Sequence, residues 1–246
     1  MNYRKAFVAG ICKVTIARYD FASIDEAASA LAADIADRLR SLLSLKTRAV
    51  LALSGGRSPQ AVLPQLATAR VDWSSVDVTL SDERWVPPSD TASNAAMIER
   101  CFLGKGAAAA NFLPLWTANT EHADGPDQAD ARLGQVTMPP DIIYLGIGDD
   151  GHIASLFPTD ADTPFTSLSG YTVATLAGAA QMPRPRISLD LPTILGAATL
   201  YLHFGGQVKA SVYQAALDKT PPLAALPLSL IVQSGHPDIR VFSFLG

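Results

Sequence analysis

Three short segments, "RAVLALS", "DIIYLGIG" and "AATLYLHFGG", are apolar at almost every position, and each is separated from the next by a stretch with helical spacing. A strand exposed on one face would alternate apolar and polar residues. Strands that are apolar on both faces must be covered on both faces, and in alternation with helices this requires a largely parallel sheet between two helical layers. The expected fold is therefore α/β with a three-layer α/β/α architecture. Other segments fit the scheme: "KVTIARYDF" alternates with period two, and "SVDVTLSDERW", "YTVATL" and "IRVFSF" read as further strands. "SIDEAASALAADIADRLRSLLSL" places Ile24, Ala27, Ala28, Leu31, Ile35, Leu39 and Leu42 on one helical face, with Ser23 and Glu26 in capping-box positions. "QAVLPQLA", "SNAAMIERCFL" and "QVKASVYQAAL" are also helical in pattern. "GKGAAAANF" and "TANTEHADGPDQAD" read as surface loops around a short strand "FLPLW" within one domain spanning residues 1–246.

Charge and cysteine usage narrow the class of function. A net charge of −4 without a run of Lys or Arg leaves no electrostatic footprint for nucleic acid or an acidic membrane. Cys12 and Cys101 lack a CxxC or a histidine neighbour, so neither a disulfide nor a metal cluster is expected. His122, His203 and His236 share no metal-ligand spacing with His152, and Trp73, Trp85 and Trp116 form no stacking platform. The opening "MNYRKAFVAGICKVTIARYDF" is interrupted by Lys13 and continues as a strand, which argues against a secretory signal. No stretch approaches the ~18 apolar residues of a membrane span. A cytoplasmic chain is expected.

Open parallel sheets bind ligands at the carboxyl ends of their strands. The loops after "LALS", "VTLSDER", "IIYLGIG" and "YLHF" should then surround a site. "LGIGDDGHIASLFP" contains Gly146-x-Gly148-x-x-Gly151, the spacing of a dinucleotide fingerprint. The context opposes that reading. Asp149 and Asp150 occupy the turn where a pyrophosphate would lie, the motif falls past the middle of the chain, and "YTVATLAGAAQ" carries no acid for a ribose hydroxyl. The turn instead sets Asp150 two residues before His152, a pairing suited to acid–base work or, more plainly, to capping.

"LSGGRSP" joins a strand to a helix, with Ser58 expected at the N-cap and Pro59 in the first turn. Amides of Gly55, Gly56 and Arg57 can turn toward an anion there, and the absent GxxxxGK[ST] spacing favours a sugar phosphate over a nucleotide. "SDERWVPPSDTASN" puts Asp82, Glu83 and Arg84 at a strand end, followed by Pro87 and Pro88, which should hold the loop extended. Arg186 and Lys209 are isolated cations near a strand end and a helix start.

In this order, "LALSGGRSP", "SDERWVPPSDTASN", "LGIGDDGHIASLFP", "PRISL" and "HFGGQVK" resemble the 6-phosphogluconolactonase family over roughly residues 20–245. The resemblance implies a Rossmann-like sheet of the glucosamine-6-phosphate deaminase/isomerase type. It also implies cofactor- and metal-free hydrolysis of 6-phosphoglucono-1,5-lactone in the oxidative pentose phosphate pathway, by a monomer or weak homodimer. His152 would be the general base, Asp150 its orienter and Arg84 the oxyanion stabiliser. Ser54, Gly55, Gly56, Arg57, Ser58, Asp82, Arg186 and Lys209 would bind the substrate. Arg57 departs from the commoner GGSTP form, which leaves open whether its side chain or only its amide is used. The related deaminase pattern carries a glutamate before the proline where this chain has Phe157. A non-catalytic sugar-phosphate sensor would carry a DNA-binding domain, and no basic recognition helix is visible.

Overall fold

The computed structural model describes residues 16–158, 165–167, 170–177, 184–219 and 226–245. In chain order the strands are β1 (Ile16–Phe21), β2 (Ala49–Leu53), β3 (Val76–Leu80), β4 (Asp82–Arg84), β5 (Asn111–Leu113), β6 (Ile142–Gly146), β7 (Thr172–Ala177), β8 (Arg184–Leu189), β9 (Thr199–Gly205) and β10 (Ile239–Phe244). The helices are α1 (Ile24–Leu43), α2 (Pro59–Ala67), α3 (Asn94–Cys101), α4 (Gly125–Leu133), α5 (Leu191–Leu195), α6 (Gln207–Leu217) and α7 (Pro227–Val232).

Seven strands form one sheet in the order β1-β10-β9-β6-β2-β3-β5, and all neighbours run parallel. β2 and β3 are buried at every residue, as expected of strands covered on both faces. Residue parity along β9 identifies the two layers. The Tyr201 hydroxyl donates to Asp34 of α1 at 2.6 Å, whereas the Phe204 ring, on the opposite face, packs 5.2 Å from Tyr213 of α6. Helices α1 and α2 pack together on the first side, and α6 and α7 on the second. The amphipathic face of α1 is buried at Ala27, Ala28, Leu31, Ile35 and Leu39, while Ile24 and Leu42 are only half-buried. Ser23 Oγ accepts the Glu26 amide at 3.2 Å; Glu26 returns a bond to the amide of Ala22, one residue earlier than a capping box requires.

Three expectations need correction. "SVDVTLSDERW" is two strands rather than one. At Ser81 the chain leaves the parallel sheet: its amide donates to Leu53 O at 2.9 Å and its carbonyl accepts from Leu189 at 2.8 Å. Beyond Leu80 the neighbouring β2 has ended, so the backbone groups of residues 82–84 must find another partner. They find it in a second, antiparallel sheet of order β4-β8-β7, in which "RPRISL" is a strand although it carries Pro185. Next, "TANTEHADGPDQAD" is not all loop, because α4 begins at Gly125 with Pro126 in its first turn. Finally, Pro87 does not hold an extended loop: its carbonyl accepts from the Asp90 amide at 2.9 Å, which closes a turn. Cys101 is a free, half-buried thiol, and Cys12 with Lys13 lies outside the described residues.

One polar pair lies within the sheet layer. Gly146 and His203 are partners across β6 and β9, and Tyr144 Oη lies 2.8 Å from His203 Nδ1. His203 is 1% exposed and its Nε2 has no protein partner among the described residues. Burial, and then the charge of Lys209, push its pKa down to about 4 from the ordinary 6.5. Between these values the unfolded chain takes up a proton that the folded chain refuses. The stability is therefore full above the ordinary value and declines as pH falls toward 4. His203→Gln should remove that component. Its loss of unfolding free energy between about pH 7 and about pH 5 should be smaller than the parent's by about 1 to 2 kcal/mol, as read by urea denaturation. Equal losses in both proteins would refute this account.

Candidate active site

A cleft of about 820 Å³ opens at the carboxyl edge of the parallel sheet. Its walls are Ser54–Pro59 after β2, Asp82 and Arg84 of β4, Gly146–Asp149 with His152, Ala154 and Phe157 after β6, and Gly205–Lys209 after β9. The four expected loops thus meet at one place, as the topology of an open parallel sheet demands.

The glycine-rich turn after β6 does not open a helix. Ile147 and Ile153 form an isolated bridge, Gly148 donates to His152 O at 3.0 Å, and Gly151 donates to Gly148 O at 3.1 Å, so the chain folds back on itself. This is incompatible with a dinucleotide turn, in which the third glycine enters a helix. The fold-back presses His152 against Gly148: a Cβ at that position would lie 2.1 Å from His152 Nδ1. Asp150 Oδ1 accepts from the His152 amide at 3.1 Å and pairs with its Nδ1 at 2.6 Å. Burial acts to raise the Asp150 pKa, but the hydrogen bond and charge of His152 outweigh it, and the carboxyl lies below its ordinary value. A carboxylate at Nδ1 holds the proton there and leaves Nε2 as the accepting nitrogen. The half-buried ring packs on Phe157, 4.8 Å between centroids.

The small antiparallel sheet supplies the cations. Arg84 and Arg186 are direct partners in the β4–β8 ladder, which sets two like charges opposite each other at the cleft. Nε of each is buried without a protein partner among the described residues. Burial lowers the Arg186 pKa, the neighbouring Arg84 charge lowers it further, and Asp82 acts against both. Arg84 Nη1 donates to Ala92 O at 2.6 Å and to Asn94 Oδ1 at 2.7 Å. The Asp82 carboxylate is fixed by the hydroxyls of Ser155 at 2.6 Å and Ser81 at 3.1 Å. Ser155 thereby ties the His152 turn to the charged strand.

Two helix N-termini face the same space. Before α2, Gly56 has φ +106, and the amides of Gly55, Gly56 and Arg57 donate to no protein acceptor among the described residues. Ser58 is not the cap expected from sequence: it is already helical at φ −61 and ψ −40 and its side chain caps nothing. The amides that a cap would serve are met by backbone instead, Gln60 donating to Arg57 O at 3.2 Å and Ala61 to Ser58 O at 3.1 Å. Before α6, Gly206 has φ +86, and Lys209 in the first turn has no ion pair among the described residues. Orphan amides, aligned dipoles and cations without an ion pair are the groups from which an anion site can be built.

All eleven residues expected from sequence therefore gather around one cleft, Asp150 just behind its wall through His152. Arg57 is exposed, and its side chain makes no contact that decides between its two roles. Sequence reasoning missed Ser155, Asn94 and His203. All three lie inside quoted motifs: a hydroxyl in "GHIAS" and an amide in "TASN" were available signals, and His203 opens "HFGGQVK". Nothing in the local pattern marks His203 as a wall residue. Among the described residues no group of His, Cys, Asp and Glu is placed to hold a metal ion, and no helix is long and apolar enough to cross a membrane.

Comparison with known proteins finds relatives over most of the chain. The chain is 39% identical over 196 residues to a 6-phosphogluconolactonase of Pseudomonas aeruginosa, covering 79% of this chain and 82% of the relative. It is 35% identical over 217 residues to one of Mesorhizobium japonicum, covering 87% and 90%. A crystal structure of a 6-phosphogluconolactonase from Shewanella baltica superposes with a TM-score of 0.83 at 31% identity, covering 96% of this chain and 99% of that one. The profile of the glucosamine-6-phosphate isomerases/6-phosphogluconolactonase family matches residues 22–240, and the chain belongs to that family.

Proposed function

We propose that this protein hydrolyses 6-phosphoglucono-1,5-lactone to 6-phosphogluconate, the ring-opening step of the oxidative pentose phosphate pathway. The observation that carries the reading is the placement of the His152–Asp150 pair in one cleft with Arg84, Arg186, Lys209 and the glycine turn. Relatives that carry the lactonase name at 35–39% identity support it.

His152 Nε2 takes a proton from water as the oxygen attacks the lactone carbonyl, and Asp150 holds the ring and balances the imidazolium charge that forms. Charge developing on the carbonyl oxygen is met by Arg84. When the ring C–O bond breaks, the proton passes from His152 to the leaving ring oxygen, so the base is restored. A lactone carbonyl is electrophilic enough that one positioned base supplies ~10² to 10⁴ in rate and one oxyanion donor ~10² to 10³. Amides of Ser54–Ser58, with Arg186 and Lys209, hold the distant phosphate and orient the ring, while Asp82 lies beside the sugar. The reading takes residues 1–246 as one domain that needs no metal or cofactor, acts in the cytoplasm as a monomer or weak homodimer, and has no nucleic-acid or membrane partner.

A coupled assay with freshly generated lactone tests the reading directly. His152→Ala should lower kcat by about two to four orders of magnitude with little change in affinity for 6-phosphogluconate. Near-parental turnover, corrected for spontaneous hydrolysis, would reject His152 as the base. Lys209→Ala and Arg186→Ala should chiefly raise KM; a pure kcat effect in both would move the phosphate elsewhere. Gly148→Ala need not enter the left-handed region, yet its methyl would strike the His152 ring. It should cost ~10² in kcat while the far-UV circular dichroism is unchanged, and full activity would show that the ring does not need its observed place.

A further inference from the structure

Asn94, the first residue of α3, is 2% exposed and lines the cleft. Its side chain makes three contacts, two with β4 and one with the glycine turn after β2. Oδ1 accepts from Arg84 Nη1 at 2.7 Å, and Nδ2 donates to Asp82 O at 2.8 Å. The same amide lies against the glycine turn: a Cβ on Gly55 would be 1.9 Å from Asn94 Oδ1. The orientation of the amide is fixed chemically, since a flip would aim its NH2 at a guanidinium and its oxygen at a carbonyl.

The backbone beneath Asn94 is fixed as well. Glu83 is fully buried, and its carboxylate accepts from the amides of Arg84, Asn94 and Ala95, each at 2.7 Å, and from Ser93 Oγ at 3.1 Å. One acid thus binds β4 to the start of α3 and leaves the Asn94 side chain little freedom. Arg84 is held mainly at one end of its guanidinium, by Asn94 Oδ1 and Ala92 O, with Nε unpartnered among the described residues.

We infer that Asn94 is a positioning residue, which fixes the Arg84 guanidinium over the cleft and sets its distance from the glycine turn at Gly55. The inference rests on the lactonase reading, in which these two parts meet the carbonyl oxygen and the phosphate of one substrate. A residue acting in this way affects turnover through Arg84 and has no effect once Arg84 is gone.

The test is a double-mutant cycle in the lactone assay, with 6-phosphogluconate affinity and thermal stability measured in parallel. Asn94→Ala should lower kcat by ~10- to 10²-fold with KM changed by less than about threefold. In an Arg84→Ala background the same substitution should cost less than about twofold. Gly55→Ala should reproduce the loss in the parent by displacing the amide, and should cost little more once residue 94 is alanine. If Asn94→Ala does not fold, Asn94→Asp, which keeps the acceptor for Arg84, should exceed Asn94→Leu in kcat by ~10-fold. Equal costs of Asn94→Ala with and without Arg84, or an unchanged kcat, would overturn the inference while an active parent leaves the lactonase reading standing. A parent chain with no lactonase activity would remove both.

Discussion

Two guanidinium groups set opposite one another in an antiparallel ladder are a standing electrostatic cost, and much of the molecule is arranged around Arg84 and Arg186. Like charges directly across a ladder repel, and burial raises the cost because solvent screens them less. The fold offsets part of it with Asp82, whose carboxylate is itself locked by Ser81 and Ser155. It leaves Nε of both arginines without a protein acceptor among the described residues. A site with unpaired donors and surplus positive charge is poorly satisfied until an anion arrives, so the free-energy gain on binding is concentrated where a phosphorylated substrate would carry its charge.

This local cation surplus exists in a chain whose net charge is −4. Bulk charge therefore says little about the ligand, and the arrangement of a few residues says more. The parallel sheet contributes the other half of the proposed anion site through geometry alone, because strands that all run the same way deliver the N-termini of α2 and α6 to the same edge. The proposed base, His152, comes from that edge too. Its turn folds back on itself instead of entering a helix, and the space that a glycine side chain would fill is taken by the imidazole.

The site depends on the junction between the two sheets. Ser81 hands the backbone from β3 to β4, Glu83 ties β4 to α3, and Ser155 ties β4 to the His152 turn. These contacts are polar, nearly all buried and mutually satisfied, which gives rigidity where a purely apolar junction would allow sliding. The buried strands β2, β3 and β6 beneath supply the packing that holds this polar layer in place.

The sequence by itself determined the parallel sheet, the helix faces and the glycine turns, because each rests on local periodicity or on a local steric requirement. "LALSGGRSP" and "GDDGHIAS" were legible for the same reason: a turn, its anion-facing amides and an acid two residues before a histidine lie within one short segment. Only the tertiary structure decided that "SVDVTLSDERW" breaks at Ser81, since that depends on where the neighbouring β2 ends. Only the tertiary structure set Arg84 opposite Arg186, about a hundred residues apart, and placed Asn94 between an arginine and a glycine from another strand's loop. The physical reason is that pairing across strands and contact across loops are satisfied by backbone groups and volumes distant in sequence, for which no local pattern carries a signal.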